Sequence, residues 1–460
     1  MIGADAPIYP RFPQHRGGHI RCNSQALGKI GGYVILSDAM KHRLLVIMLI
    51  GIMLSVLACA DPAQKHLEQG DIYSSQAQWA EAISEYGKAI ESNPNLALAY
   101  SKRGEAYAAR EDWPPALSDF SKALELDPEL IEAYSHRASI YHAQQQWDMA
   151  IADLNKAIEL DPELAVAYSN RGWTYASKGQ AEEALADLNK AIELDPELIE
   201  AYYNRGLVHN GQGNWDMGIA DLSKAIESDP TNPLAYNDRG SAYTNIGQFD
   251  AAIADLDKAI ELKPDYAWAY YNRGLVCEEQ EQWDAAIANF SKATELEPAL
   301  AIFDQALAEA YISRGYIYRA TGQGDLALAD LDKAIELDPE LAVAYYNRGS
   351  VYNSQGKWEL AISDLSKAIE LEPGYLAAYS NRAYTYINTG QLDKAIADYN
   401  KAIELEPDYT LAYYNRGIVY FNTGQADLAI ADLNKAIELS EDPELIAAAK
   451  ERISEIQRRK

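Results

Sequence analysis

Residues 165–198 read AVAYSNRGWTYASKGQAEEALADLNKAIELDPEL, and eleven variants of this 34-residue stretch follow one another along the chain. The proline near the end of the stretch marks the period. It stands at Pro94, Pro128, Pro162, Pro196, Pro230, Pro264 and Pro298 and, after seven extra residues, at Pro339, Pro373 and Pro407. The eleventh copy ends near Glu441 without a proline. A fixed period predicts stacked repeats that each contact their neighbours, rather than one globular core.

Each repeat is predicted to form two helices. With Ala165 as position 1, apolar residues recur at helical spacing over positions 1–14 (helix A) and again over positions 17–30 (helix B). Position 15 is glycine in seven repeats, which is typical of a residue just past a helix end. The Asp-Pro pairs, such as Asp161-Pro162, are expected to be the N-cap and first residue of the next helix.

The residues within the repeat resemble those of the tetratricopeptide repeat family. One copy carries the pattern as Tyr168, Gly172, Tyr175, Ala184, Leu188, Ala191 and Pro196. The match covers residues 61–441, and it implies an all-α, right-handed superhelical solenoid of about eleven two-helix repeats whose inner face is lined by helix A. We assign residues 59–441 to the array and residues 442–460 to a capping helix over its open end.

The seven extra residues fall within 299–310 and are apolar and helix-prone. Seven residues are close to two helical turns, so we expect a lengthened helix A in the eighth repeat, with a local change of superhelix pitch. A hinge at this point is the alternative.

Charged residues also recur. Position 7 is arginine in ten repeats and position 23 is aspartate in nine of them, which predicts bidentate pairs between helices A and B, as for Arg171 and Asp187. Asn289 replaces the acid in the seventh repeat, so Arg273 should find another partner. Lysine at position 26 and glutamate at position 29 should pair on the solvated face of helix B.

A partner-binding groove is implied by the resemblance, since the family lines its groove chiefly with positions 2, 5, 6, 9, 12 and 13. Position 6 forms a row of asparagines: Asn170, Asn204, Asn272, Asn347, Asn381 and Asn415. An amide offers a donor and an acceptor to an extended peptide, although a local helix-packing role is the alternative. Candidate aromatic anchors at positions 2, 5 and 9 are Trp173, Tyr203, Trp268, Tyr271, Tyr346 and Tyr414. Trp268 and Tyr271 should form one patch, and packing between repeats is again the alternative.

Composition restricts the partners. With 40 basic and 69 acidic residues the chain has a net charge of −29, which disfavours nucleic acid and anionic lipid surfaces. Lys102 and Arg319 are the only fully charged bases at the groove positions, which argues against a clamp for a C-terminal carboxylate. No phosphate loop, nucleophile elbow or metal-binding motif is present in the sequence. We therefore expect no enzyme activity, cofactor or metal, and other proteins as partners.

The start of the chain resembles a bacterial lipoprotein signal. Residues 40–58 begin with Met40-Lys-His-Arg43 and continue as an apolar run from Leu44 to Ala58, ahead of Cys59. The run is short for a membrane-spanning helix, so lipidation of Cys59 is expected, and an uncleaved signal anchor is the alternative. Both place the repeats on the extracytoplasmic side, periplasmic or at the cell surface. Residues 1–39 are interpreted as an over-extended start or a disordered tail.

These observations favour a membrane-anchored protein–protein interaction scaffold that binds extended polypeptide segments in its concave groove. One alternative is a substrate-targeting subunit of a separate envelope or glycan-modifying enzyme. The other is a cytoplasmic regulator, if the signal is not used for export.

Overall fold

The computed structural model describes residues 61–459, and every regular element among them is an α-helix. The described residues fall into two compact segments, divided between Pro230 and Thr231. The described helices of the first segment, α1 to α10, are Pro62–Ser75, Trp79–Ser92, Ala97–Ala108, Trp113–Leu126, Ile131–Ala143, Trp147–Leu160, Ala165–Ser177, Ala181–Leu194, Ile199–Gly211 and Trp215–Ser228. Those of the second segment, α11 to α23, are Pro233–Asn245, Phe249–Leu262, Ala267–Glu279, Trp283–Leu296, Ala301–Ala320, Gly324–Leu337, Ala342–Ser354, Trp358–Leu371, Leu376–Asn388, Leu392–Leu405, Thr410–Asn422, Ala426–Leu439 and Pro443–Arg459. Helices A and B therefore alternate in the predicted order, and the array is a helical-repeat solenoid.

Position 15 ends helix A in a left-handed conformation. The seven glycines there have φ angles between 70° and 84°. In the fourth repeat the N–H of Gly179 donates to Ala176 O at 2.9 Å and that of Gln180 to Tyr175 O at 2.9 Å, which closes the helix in a Schellman motif. The remaining four repeats also have a positive φ at this position, between 56° and 60°, without glycine, at Ala77, Glu111, Gln145 and Glu281.

The prediction for the Asp-Pro pairs is wrong. Asp161 follows the last residue of α6 in an extended conformation, and α7 begins only at Ala165, with Leu164 before it. Proline disfavours the helical backbone conformation in the residue before it, so the Asp-Pro pair ends helix B instead of starting helix A. The carboxylate of Asp161 accepts the N–H of Glu163 at 3.0 Å and so shapes the turn.

Small residues let the two helices of a repeat approach closely. A Cβ on Gly172 would lie 2.8 Å from Leu188 Cγ and 3.0 Å from the carbonyl oxygen of Ala184. Ala184, Leu188 and Ala191 are fully buried and pack against Ala201 of the next repeat. The core is thus a series of such clusters, each shared by neighbouring repeats.

The predicted arginine–aspartate pairs are confirmed. In nine repeats Nε and Nη2 of the arginine donate to the two carboxylate oxygens at 2.7–2.9 Å. Asn289 accepts only one such bond from Arg273, at 2.8 Å, so this arginine keeps a weakened contact at position 23, and its Nη1 donates to Asp257 of the preceding repeat at 2.5 Å.

The arginine also joins one repeat to the previous one, which was not predicted. Nη1 of Arg171 donates to Asn155 and that of Arg348 to Asp332, each at 2.6 Å. Both acceptors occupy position 25 of helix B in the preceding repeat.

The outer lysine–glutamate pairs form in ten repeats. The first repeat differs, because Lys88 pairs there with Glu85 at 2.6 Å.

The seven extra residues lengthen helix A of the eighth repeat, as predicted. α15 has 20 residues where the other A helices of this segment have 13. Arg314 keeps its own pair with Asp330, but its Nη1 donates to Asp284 at position 18 of the seventh repeat. Elsewhere this contact falls at position 25, so the eighth repeat is offset by two helical turns along α14.

The C-terminal helix α23 covers the last repeat, as predicted. Ala449 and Ile456 are buried against Leu433 of α22. Terminal repeats expose a core face, and this helix removes it from water.

Candidate functional site

The six asparagines of the row at position 6 make different contacts. Asn272 Nδ2 donates to Asn237 Oδ1 at 2.9 Å, Asn381 Nδ2 to Ser350 Oγ at 3.1 Å, and the buried Asn347 donates to the carbonyl of its own helix at 3.0 Å. Nδ2 of Asn170 is buried and has no hydrogen-bond partner among the described residues. Asn204 and Asn415 are half-buried, so part of each side chain is accessible to the backbone of a partner peptide.

The predicted aromatic anchors take part in packing. Trp173 stacks on His142 at 6.2 Å between ring centroids, Tyr346 lies 4.9 Å from Tyr375, and Tyr203 is only 9% exposed. Tyr414 packs against the cluster formed with the C-terminal helix. The structure thus gives these side chains a packing role, and their contact with a partner stays a prediction.

Trp268 and Tyr271 form the contiguous patch that their spacing predicted. Their ring centroids are 5.6 Å apart, and both rings contact Phe303 of α15, at 5.1 and 5.3 Å. Phe303 is fully buried and lies within the seven extra residues. Burial raises the pKa of the Tyr271 hydroxyl, which agrees with a half-buried ring. The patch therefore seals the seventh repeat against the extended helix.

Sequence reasoning missed the large side chains that are exposed at helix A positions 2 and 9 of the second segment. Tyr316 is 53% exposed, Tyr384 51%, Leu411 48% and Val343 38%. The sequence does distinguish Tyr316 and Tyr384, since position 9 holds tyrosine only in the eighth and tenth repeats. Exposed aromatic side chains of this kind are frequent anchors of protein interfaces.

An open cavity of about 360 Å³ lies where the eighth repeat is offset from the seventh. Residues 281–285 of the seventh repeat form one side, and Arg314 and Tyr318 of α15 form the other. Arg314 is already bonded to two aspartates, which leaves the cavity without a free cation among its lining residues. It is a by-product of the two-turn offset.

The half-buried His142 and the buried Cys277 are structural residues. Burial lowers the pKa of His142 to about 4, and the ring packs against Trp147 and Trp173. Burial also raises the pKa of the Cys277 thiol, which makes the reactive thiolate scarce. Among residues 61–459 no group of three or more histidine, cysteine or acidic side chains is placed to hold a metal ion.

Several sequence predictions fall outside the described residues: the tail 1–39, the signal segment 40–58 and lipidation at Cys59. Within residues 61–459, no helix combines the length and apolar character needed to cross a membrane.

The alternating helices and their shared cores define a helical-repeat protein of the kind that serves other proteins as a scaffold. A sequence model described as "TPR repeat" matches residues 70–110, 104–145, 138–179, 172–213, 240–281, 315–353 and 383–424. Models described as "Tetratricopeptide repeat" match residues 267–300, 342–375, 410–443, 222–254, 365–397 and 199–232. The chain belongs to the tetratricopeptide repeat family. Proteins of this fold are generally non-catalytic and bind other proteins or peptides.

Several solved structures align with part of this chain. A tetratricopeptide repeat protein from Parabacteroides merdae is 20% identical over 54% of this chain and 98% of its own, with a TM-score of 0.45. YrrB, described as a TPR protein with an unusual peptide-binding site, is 27% identical over 40% of this chain and 95% of its own, with a TM-score of 0.33. MamA is 30% identical over 35% of this chain and 94% of its own, with a TM-score of 0.32. No curated protein matches the chain.

Proposed function

We propose that this protein is a membrane-anchored, extracytoplasmic scaffold that binds extended segments of other proteins along its A helices and catalyses no reaction itself. The observation that carries the proposal is the set of exposed side chains at positions 2 and 9 of the second segment, Tyr316, Val343, Tyr384 and Leu411. Large apolar side chains left in water cost free energy that a partner segment would recover by covering them.

The asparagines support the same function for the backbone of the partner. Asn415 lies on the same helix as Leu411, four residues away, and four residues separate neighbours on one helix face. A partner covering Leu411 would therefore bring its peptide groups near a side chain that can donate and accept. Apolar contact and backbone hydrogen bonds together would favour an extended segment over a folded surface.

Truncation of the exposed tyrosines tests the proposal. The double variant Tyr316→Ala/Tyr384→Ala should lose at least tenfold in affinity for its partner, because each truncated anchor typically costs about 2 kcal/mol. Partners would be captured from the native host with a photo-crosslinking residue at Val343, and the affinity of the identified partner would then be measured with the purified full chain.

A matched control is available on the B helices. Leu360 and Leu428 are 50% and 48% exposed at position 19, so Leu360→Ala/Leu428→Ala removes similar exposed apolar surface from the other helix. This control should retain full affinity. If the two double variants bind the partner equally well, the A helices are not the binding face and the proposal fails.

Membrane attachment requires its own experiment. A fatty-acid analogue supplied to growing cells should label the wild-type chain and leave Cys59→Ser unlabelled, because the thiol is the proposed attachment point. Equal labelling of the two chains, or labelling of neither, would reject lipidation. Protease added to intact spheroplasts should then degrade the repeats only if they lie outside the cytoplasm.

A further inference from the structure

The eighth repeat carries an arginine on its A helix at a position where no other repeat has arginine or lysine. Arg319 occupies position 12 of α15, three residues after the exposed Tyr316 at position 9. The guanidinium carbon of Arg319 lies 5.1 Å from the centroid of the Tyr316 ring, which is a cation–π contact. The two side chains therefore form one feature of the proposed binding face.

Arg319 is the only arginine among residues 61–459 that makes neither a hydrogen bond nor an ion pair within that range. Its Nε is buried and has no hydrogen-bond partner. The other described arginines outside position 7 bond to Asp112, to Glu455 or to a carbonyl oxygen of their own helix. A partly buried guanidinium without an acceptor is unfavourable until an acceptor is supplied.

The other arginines of this chain show what completes such an arrangement. In all ten repeats with arginine at position 7, the guanidinium carbon lies 5.4–5.9 Å from the ring centroid of the tyrosine at position 4. In nine of them the arginine also donates from Nε and Nη2 to an aspartate of helix B, and in the tenth Arg273 donates to Asp257. Each arginine that rests on a tyrosine at this spacing thus holds a carboxylate.

Tyr316 and Arg319 repeat the same Tyr-x-x-Arg spacing at positions 9 and 12, but without the carboxylate. Nε, the nitrogen that bonds to aspartate in the nine pairs, has no acceptor in Arg319. The pair is also open to a partner, since Tyr316 is 53% exposed and Arg319 is half-buried. By contrast Tyr345, the ring under Arg348 in the ninth repeat, is half-buried. The feature that Arg319 lacks is therefore an acidic group, and the described chain leaves it accessible to one from outside.

We propose that Arg319, resting on Tyr316, is the docking point for an aspartate or glutamate side chain of the extended partner segment. The inference rests on the proposed function and specifies the chemistry of that segment. The carboxylate would accept hydrogen bonds from Arg319, as the aspartates do in the nine internal pairs, while a neighbouring apolar side chain covers the Tyr316 ring. A clamp for a C-terminal carboxylate would need further free bases, and Lys102, the other base at the groove positions, already pairs with Glu105 at 3.2 Å.

Two fluorescein-labelled peptides are the probes for the full chain. One repeats leucine–serine–glutamate–serine and the other repeats leucine–serine–glutamine–serine, and both are amidated so that no terminal carboxylate takes part. The wild type should bind the glutamate peptide about tenfold more tightly, because the carboxylate adds a charge-assisted hydrogen bond. The net charge of −29 favours the opposite order, so the direction of the preference itself identifies a local site.

Arg319→Gln should lose the preference for the glutamate peptide. Arg319→Lys should keep only part of it, because lysine retains the charge but not the planar fork of donors. The matched control is Lys357→Gln, which removes another cation of the same segment that lies over a tyrosine ring, with Nζ 5.8 Å from the Tyr352 centroid. Lys357 is exposed outside the helices, so the control should keep the full preference. The thermal midpoint of each variant checks that it is folded.

Three results would overturn the docking point. The first is a wild type that binds the glutamine peptide as tightly as the glutamate peptide, or more tightly. The second is a wild type that binds neither peptide. The third is an equal loss of preference in Arg319→Gln and Lys357→Gln, because only the general charge would then matter.

This test is separable from that of the proposed function. If Tyr316→Ala/Tyr384→Ala loses the natural partner while Arg319→Gln binds it with full affinity, the scaffold function stands and the acidic docking point falls. Loss of affinity for the natural partner in both variants supports both.

Discussion

The arginine at position 7 connects three helices through one side chain. In the fourth repeat Arg171 binds both oxygens of Asp187 with Nε and Nη2 and reaches Asn155 of the preceding repeat with Nη1. The hydrogen bonds that Arg171 donates to Asp187 raise the pKa of this already strong base further, so the guanidinium keeps its charge at any physiological pH. Both side chains are largely excluded from water, with 18% and 11% exposure. The pair thus fixes the angle between the two helices of its own repeat and its stacking on the previous one.

Asp187→Asn should therefore destabilise the protein by about 1.5–3 kcal/mol, because one charge-assisted bond is lost and the guanidinium is left partly unpaired. The natural Asn289 shows that the substitution can be accommodated, with one bond in place of two. Urea denaturation followed by circular dichroism would measure the change. Asp148→Asn is the control, since Asp148 pairs with Lys178 while 84% exposed and should change stability by less than about 0.5 kcal/mol. Equal effects of the two substitutions would contradict the assigned role of the buried pair.

His142 makes the unfolding free energy of the protein depend on pH. Burial lowers its pKa to about 4, below the value of about 6.5 expected in the unfolded chain. The unfolded state therefore takes up a proton first as pH falls, and the stabilisation present above about pH 6.5 is lost progressively between about pH 6.5 and 4. In His142→Gln this part of the dependence should disappear, leaving a flatter curve of unfolding free energy over that range. An unchanged pH profile would show that His142 is charged or exposed in the folded state.

At the scale of the element, the extended helix α15 is part of the core. Its first two turns carry Phe303, which is fully buried between Trp268 and Tyr271, and its later turns pair with α16 through Arg314 and Asp330. The insertion thus preserves both interfaces of the helix, and it does so because seven residues return the side chains to nearly the same face. An insertion of two or five residues would have turned one of the two interfaces away.

Phe303→Ala should destabilise the protein by about 3–5 kcal/mol, the usual cost of removing a buried phenylalanine. Its neighbour Ile302 is 44% exposed, so Ile302→Ala should stay within about 0.5 kcal/mol of the wild type. Chemical denaturation measures both, and a red shift of tryptophan fluorescence in Phe303→Ala would report the loss of cover over Trp268. If both variants are equally stable, the inserted turns lie outside the core.

At the scale of the whole molecule, stability is distributed over repeated small clusters instead of one core. Each cluster joins helices of neighbouring repeats, as Ala184 and Leu188 do with Ala201. Such an arrangement leaves the A helices free to vary at positions 2, 9 and 12 without loss of the fold. The side chains offered to a partner can therefore differ from repeat to repeat. Tyr316, Tyr384 and Glu278 are residues at these positions that depart from the common pattern.

The sequence alone determined the repeat, the order of helices A and B, the arginine–aspartate pairs and the two-turn lengthening of α15. These features depend on contacts at fixed spacing within a repeat or between adjacent ones, so the period reveals them. Only the tertiary structure decided that Trp268 and Tyr271 are packed under the inserted turns, that Tyr316 and Tyr384 are exposed, and that Asp161-Pro162 closes a helix. The physical reason is that exposure depends on which neighbouring side chain covers a given residue. Around Trp268 and Tyr271 the inserted turns supply a new neighbour, Phe303, while leaving the local pattern of each repeat intact.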